Sequence, residues 1–202
     1  MKSLLISLFD YTGNASRPYR ENGWDVIRVD IKLGIDIMTF NSDITGYDRV
    51  GIIAMIPCTD YAISGARHFK EKDTDGRTEQ SQRIVERTRI IINDIDKSGR
   101  LQFWQIENPM SRIHKLNPWM GKPALKFNPC DYAGYDPIPD NSRYNKATWL
   151  WGGFNIPEKK RMEPIYTENP GWKTLGGKSE RTKELRSITP LGFAYAFYDA
   201  NK

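Results

Sequence analysis

Ser3-Leu4-Leu5-Ile6-Ser7-Leu8-Phe9 is an apolar run that stops abruptly at Asp10-Tyr11-Thr12-Gly13-Asn14. A short apolar run bounded by turn formers fits a strand buried on both faces, followed by a loop and a helix over about Ala15 to Asn22. Gly23 closes that helix, and Trp24-Asp25-Val26-Ile27-Arg28-Val29-Asp30 reads as a second strand ending on an acid. Strand, loop, helix and strand in that order open a parallel α/β sheet.

The pattern continues outward. Arg49 to Ile56 supplies a third strand that ends at Pro57-Cys58. Between Arg77 and Lys97, Ile84, Val85, Ile91, Ile92 and Ile95 recur at helical spacing, and Gly99 stops that helix. Leu101 to Ile106 is a further strand, ending at Glu107-Asn108-Pro109. The order predicts a mainly parallel sheet with helices on both faces. Asp30, Cys58 and Glu107 then fall at or just past the carboxyl ends of strands, the edge at which open α/β sheets bind ligands.

Beyond Pro109 the pattern loosens. Residues 114–172 hold most of the prolines, with strand-like pieces at Ala124 to Phe127 and Ala147 to Trp151. The charged stretch Lys173 to Arg186 precedes Thr189-Pro190-Leu191-Gly192, and Phe193 to Ala200 predicts a final helix. The whole chain, 1–202, is expected to be one domain, with its ordered core in 1–109, an irregular region over 110–188 and a C-terminal helix in 189–202.

Composition narrows the class. Hydrophobic residues at 39% and charged residues at 27% suit a soluble globular protein. No apolar run reaches the roughly 18–20 residues that span a bilayer. The apolar start is interrupted by Asp10 and has no small-residue cleavage site, so it is read as a buried strand and not a secretory leader. Two cysteines, Cys58 and Cys130, do not make a disulfide framework and fit a reducing, cytoplasmic setting. No metal site is expected. A net charge of +5 and a pI near 9.1 favour a polyanionic partner.

Three segments carry chemistry. In the first loop, backbone amides around Gly13 can approach a nucleotide-like ligand, and Asp30 can accept hydrogen bonds from ribose hydroxyls. Cys58, held directly after a buried strand, is a nucleophile in its thiolate form, and the neighbouring Arg67 and His68 can supply the positive field that favours it. Glu107, if desolvated, stays protonated near neutral pH and can act as an acid. The plain alternatives are an ordinary βαβ turn, an inert thiol and a strand-terminal carboxylate facing water.

Taken in order, these segments resemble the DNA (cytosine-5) methyltransferases. Phe9 to Gly13 resembles that family's cofactor loop, Asp30-Ile31 the acid and apolar residue around ribose and adenine, and Gly34-Ile35-Asp36-Ile37 the segment whose Asp contacts the adenine. Pro57-Cys58 with Ser64-Gly65 resembles the catalytic loop, Glu107-Asn108 the Glu-Asn pair, and Thr189 to Ala194 the last cofactor motif. The likeness is fullest over residues 3–109. Tyr11 and Asn14 stand where the family has more glycines, and Thr59 where a Gln commonly follows the cysteine.

The resemblance implies a Rossmann-like methyltransferase fold and S-adenosylmethionine as cofactor. Phe9, Asp10, Tyr11, Gly13, Asp30, Ile31, Asp36, Ile37 and Pro57 would hold that cofactor. Cys58, Glu107 and Asn108 would be catalytic. Cytosine-containing DNA is the implied partner, with Ser64, Arg67, Arg143 and Lys146 as substrate contacts and Arg143 to Thr148 standing for the family's Gln/Arg-rich strand motif. There is no room for a large target-recognition region, so residues 110–188 or a second subunit must do that work. Two alternatives stand beside it: a single-stranded or free pyrimidine nucleotide as substrate, or a methyltransferase-like protein that binds nucleic acid or a partner without catalysis.

Overall fold

The computed structural model describes residues 1–165, 184–185 and 187–202. The charged stretch Lys173 to Arg186 therefore lies outside the described residues except for Glu184 and Leu185, as does that part of the 110–188 region.

Six strands form one sheet: β1 (Ser3–Leu8), β2 (Asp25–Val29), β3 (Arg49–Met55), β4 (Leu101–Pro109), β5 (Leu125–Phe127) and β6 (Thr148–Gly153). Their order is β2-β1-β3-β4-β6-β5. The pairings β1 with β2, β1 with β3 and β3 with β4 are parallel. β6 runs antiparallel to both β4 and β5, so five strands share one direction and β6 alone opposes them.

The continuous apolar run of β1 is explained by burial on both faces. Leu4, Ile6 and Leu8 join Val50, Ile52 and Ala54 of β3 in one core, covered by Val85, Ile91, Ile92 and Ile95 of the long helix α3 (Arg77–Lys97). Leu5 joins Ile53, Met55 and Phe103 in the second core. That face is covered by Tyr19 of α1 (Arg17–Glu21) and by Phe193, Ala196 and Phe197 of the C-terminal helix, α5 (Leu191–Asn201). Two short helices lie between: α2 (Phe69–Thr74) after β3 and α4 (Ile113–Leu116) after β4. The result is the Rossmann-like α/β fold with helices on both faces that the sequence predicts.

The second core is aromatic. Tyr19 meets Trp24 at 5.2 Å, Phe103 at 5.8 Å and Tyr198 at 4.9 Å between ring centres, and Phe103 meets Phe197 at 5.8 Å. Gly51 makes room for this packing, because a Cβ there would lie 2.2 Å from the Phe103 ring.

Boundaries moved where side chains found other partners. The first helix begins at Arg17 and not at Ala15: Ser16 makes no side-chain cap and gives its hydroxyl to Asp10 instead. β4 runs on through Glu107-Asn108-Pro109 because β6 pairs with those residues. Among the described residues, no helix is long and apolar enough to cross a membrane, and no three His, Cys, Asp or Glu side chains cluster as a metal site.

Candidate active site

The first loop is pinned from within. Asp10 is buried, and its Oδ2 accepts from Ser7 Oγ at 2.8 Å, Ser16 N at 3.1 Å and Ser16 Oγ at 2.6 Å. Phe9 takes φ = 62°, alone among the described non-glycine residues in having a positive φ, and its N–H donates to Val29 O at 2.7 Å. Such backbone persists only where the surroundings over-determine it. Gly13 also has positive φ (75°), and a Cβ there would meet Arg28 Nη1 at 2.8 Å. Arg28 donates to Tyr11 O at 3.0 Å, and Asn14 Nδ2 to Thr189 O at 3.4 Å. The loop is thus tied to the end of β2 on one side and to the start of α5 on the other.

Asp30 lies at the end of β2, where its Oδ1 accepts from Lys32 N at 2.8 Å and caps a 3-10 turn over Ile31–Leu33. Lys32 Nζ sits 5.0 Å from the centre of the Tyr11 ring, which brings Tyr11 and Asp30 to one place. Ile31 is 71% exposed, and Tyr11, Leu33, Ile35 and Met38 are exposed as well. Asp36 caps a following turn by accepting from Met38 N at 2.9 Å. Ile37 is buried in the core beside α3, its carbonyl accepting from Arg87 Nε at 3.2 Å.

The second strand end holds Cys58. Pro57 is exposed and Cys58 half-buried. The Cys58 carbonyl accepts from Tyr61 N at 3.0 Å and Ala62 N at 2.9 Å, so the chain turns sharply on it. The fully buried Tyr61 anchors that turn, its hydroxyl donating to Gln82 Oε1 on α3 at 3.2 Å. Beyond it Lys72 pairs with Asp60 at 3.0 Å and donates to Thr59 O, and Ser81 Oγ donates to Asp60 at 2.6 Å. Burial acts to raise the Asp60 carboxyl, but the bonds from Ser81 and Lys72 outweigh it and hold the group below its ordinary value. This buried Lys72–Asp60 pair was invisible in the sequence, where both residues look like loop charges. Ser64 and Arg67 face solvent, Arg67 Nε lies 3.0 Å from His68 Nε2, and His68 approaches Glu71 at 3.5 Å.

Glu107 is on the neighbouring strand, level with Met55 of β3 and Leu150 of β6. Its Oε1 is buried without a hydrogen-bond partner, and burial raises its carboxyl above the usual range, opposed by the charge of Lys146. Lys146 comes near because Thr148 pairs with Pro109 and Met110 N donates to Ala147 O at 3.2 Å. Asn108, fully buried, donates from Nδ2 to Ile56 O at 2.9 Å. Glu107 and Gln105 line a cavity of about 20 Å³, room for one water, together with Ala15, Met55, Thr189, Phe193 and Ala194. Arg143 is engaged elsewhere, Nε donating to Glu163 O at 2.8 Å and Nη1 pairing with Asp140 at 3.0 Å.

The fold therefore brings Phe9, Asp10, Tyr11, Gly13, Asp30 and Ile31 together at one stretch of the sheet edge, and Pro57, Cys58, Glu107, Asn108 and Lys146 at the next. An acid beside exposed apolar side chains fits an adenosine, whose ring needs apolar cover and whose ribose needs an acceptor.

No family model matches the chain, and no curated protein does. Among solved structures it is similar to a proposed DNA modification methyltransferase encoded within an E. coli prophage, at 15% identity and a TM-score of 0.42. The match covers 89% of this chain and 56% of that one, so the chain spans little more than half of the length of that protein.

Proposed function

We propose that the chain methylates carbon 5 of cytosine in DNA from S-adenosylmethionine, with Cys58 as the nucleophile. The observation that carries the proposal is the pairing of strand ends: Pro57-Cys58 leaves β3 beside Glu107 on β4, a carboxyl that burial keeps toward its acid form. Neither feature is needed by a module that only binds.

Asp30, Ile31, Tyr11 and the backbone of the Phe9–Gly13 loop would hold the cofactor. When bound, it supplies an electrophilic methyl group on a sulfonium. Every other demand falls on this chain. Cytosine C5 is a poor nucleophile because its electrons belong to an aromatic ring. The Cys58 thiolate adds to C6 and breaks that aromaticity. Glu107 gives its proton toward N3 and absorbs the charge that would otherwise build on the ring. C5 is then enamine-like. C5 would then bond to the methyl carbon as that carbon's bond to sulfur breaks. Loss of the C5 proton to solvent expels the Cys58 thiolate, and N3 returns its proton to the Glu107 carboxylate as the ring is restored. Asn108 holds Ile56, and through it the strand end that presents Cys58. In a duplex the target base must leave the stack, at a cost of a few kcal/mol. The +5 charge supplies the attraction for phosphates, with the exposed Arg67 and with Lys146, whose charge acts on Glu107, as contacts.

Mass spectrometry of nucleosides from DNA incubated with the protein and S-adenosylmethionine tests this. The expected product is 5-methylcytosine. Methylation at another base atom, or none on any DNA, refutes it.

A further inference from the structure

Apart from Lys72, which reaches back to Asp60 and Thr59, the segment between Cys58 and α3 has little of its own to hold it in shape. It consists of a 3-10 turn over Ile63–His68 and the six-residue α2, neither long enough to be stable alone. Ile63, Ser64, Arg67 and His68 are exposed, so the apolar packing that orders most loops is thin here. Yet the segment is tied at many points to one residue beyond the opposite strand end.

That residue is Arg112. Its Nη1 and Nη2 fork onto Asp73 at 2.9 and 2.7 Å, and Nη2 also reaches Thr78 Oγ1 at 3.0 Å. Nε donates to Asp60 O at 3.2 Å, the backbone N–H donates to Tyr61 O at 2.9 Å, and the guanidinium lies 3.7 Å from the centre of the Phe69 ring. Ile63 N donates to Met110 O at 3.1 Å, and Ala62 bridges to Ser111. One side chain thus touches the segment at its start, at Asp60, and near its end, at Phe69 and Asp73. Its own backbone follows Glu107-Asn108-Pro109 by three residues.

We propose that Arg112 is the positioning residue that sets the Cys58 loop in register with the Glu107-Asn108 strand end. The proposal rests on the reading of Cys58 as nucleophile. The Arg112 side chain is only 12% exposed. Asp73 is 47% exposed, so the pair is open to solvent on that side and adds little net stability. What a two-bond fork adds is geometry, because parallel bonds fix angle as well as distance. Asp73 is held at about 2 by the bonds from Arg112 and Thr78, so the fork stays ionised at any working pH. Arg112 touches neither Cys58 nor Glu107 through any of these bonds. It acts through the Asp60 and Tyr61 carbonyls, and the Tyr61 N–H in turn holds the Cys58 carbonyl.

Hydrogen exchange followed by mass spectrometry tests this on the full chain and on Arg112→Ala, Arg112→Lys and Asp73→Asn, alongside iodoacetamide labelling of Cys58, cofactor calorimetry and methyl transfer. The last variant changes an exposed side chain and is expected to fold even if Arg112→Ala does not. Exchange over residues 59–75 is expected to quicken by about tenfold or more in Arg112→Ala and Asp73→Asn, with residues 85–95 of α3 unchanged. Arg112→Lys keeps the charge without the fork and should fall between. Cys58 should label faster against the buried Cys130, and transfer should slow while S-adenosylmethionine affinity holds. Unchanged exchange over 59–75, an equal rise across the whole chain, or a loosened loop with unaltered Cys58 labelling would overturn the proposal. A loosened loop with faster labelling, in a protein whose unsubstituted form methylates no DNA, would uphold the brace and discard the transfer chemistry.

Discussion

Asn108 donates from Nδ2 to the carbonyl oxygen of Ile56 at 2.9 Å, so the strand that carries Glu107 also fixes the last residue before Pro57-Cys58. Both residues are buried, and water cannot replace the bond. Asn108→Ala should lower stability by about 1–3 kcal/mol in urea denaturation, the cost of leaving a buried carbonyl without a donor. Its effect on transfer should exceed its effect on cofactor affinity. An affinity loss as large as the rate loss would remove Asn108 from the cysteine's support.

Asp10 and Asp30 stand at the same sheet edge but do different work. Asp10 Oδ2 is taken by three donors, Ser7 Oγ from β1 and Ser16 N and Oγ, whereas Asp30 has one loop bond and a more accessible carboxylate. Asp10→Ala is therefore expected to cost roughly 2–4 kcal/mol of folding stability. Asp30→Ala should leave stability nearly intact and weaken S-adenosylmethionine binding by roughly 1–3 kcal/mol. Calorimetry and denaturation on the two variants separate these roles. Unchanged affinity in Asp30→Ala would show that the cofactor does not sit there.

The Glu107 carboxyl, raised by burial, gives a pH dependence of definite sign. Transfer needs the acid form, so the rate should fall as pH rises through the raised value. The same shift contributes stability below the ordinary glutamate range, and that contribution is lost as pH rises through the folded value. Glu107→Gln should slow transfer by about 10²–10⁴-fold and flatten the alkaline limb. Because the Lys146 charge opposes the shift, Lys146→Met should move that limb to higher pH. A limb that stays in place would mean that Lys146 does not act on Glu107.

Binding of this chain to DNA should weaken steeply with salt and show modest sequence preference, since its basic charge is plentiful and phosphate contacts carry no sequence information. Arg67 faces solvent, so Arg67→Ala should lower the salt slope by about one phosphate's worth. Arg143 is committed to Glu163 and Asp140, and Arg143→Ala should reduce stability more than the slope. A single strongly preferred duplex site at physiological salt would contradict this.

The alternation of β1, loop, α1 and β2 was legible because an apolar run between turn formers has few other ways to bury itself. The isoleucine spacing in 84–95 marked α3 for the same reason, and the two strand ends followed from where those runs stop. Pairing between distant segments was not legible. Trp149 and Trp151 alternate as a strand should, but alternation does not say that β6 enters between β4 and β5 against their direction. Asp10 read equally well as a ligand contact, because nothing in its spacing shows that Ser7 and Ser16 both turn toward it. The Arg112–Asp73 fork joins residues 39 positions apart, and each of them alone is an ordinary surface charge in the sequence.

The most direct measurement is covalent trapping on DNA carrying 5-fluorocytosine, where fluorine cannot leave as a proton does. With S-adenosylmethionine present, the protein should form an adduct that survives denaturation and maps to Cys58. Cys58→Ser should abolish it, because a hydroxyl is far less ionised than a thiol near neutral pH. Cys130→Ser should leave it intact, since Cys130 is fully buried, its thiol donates to Asn145 Oδ1 at 3.4 Å, and burial above all raises it. No adduct on duplex or single-stranded DNA, from a chain that still binds the cofactor, would contradict nucleophilic catalysis by Cys58.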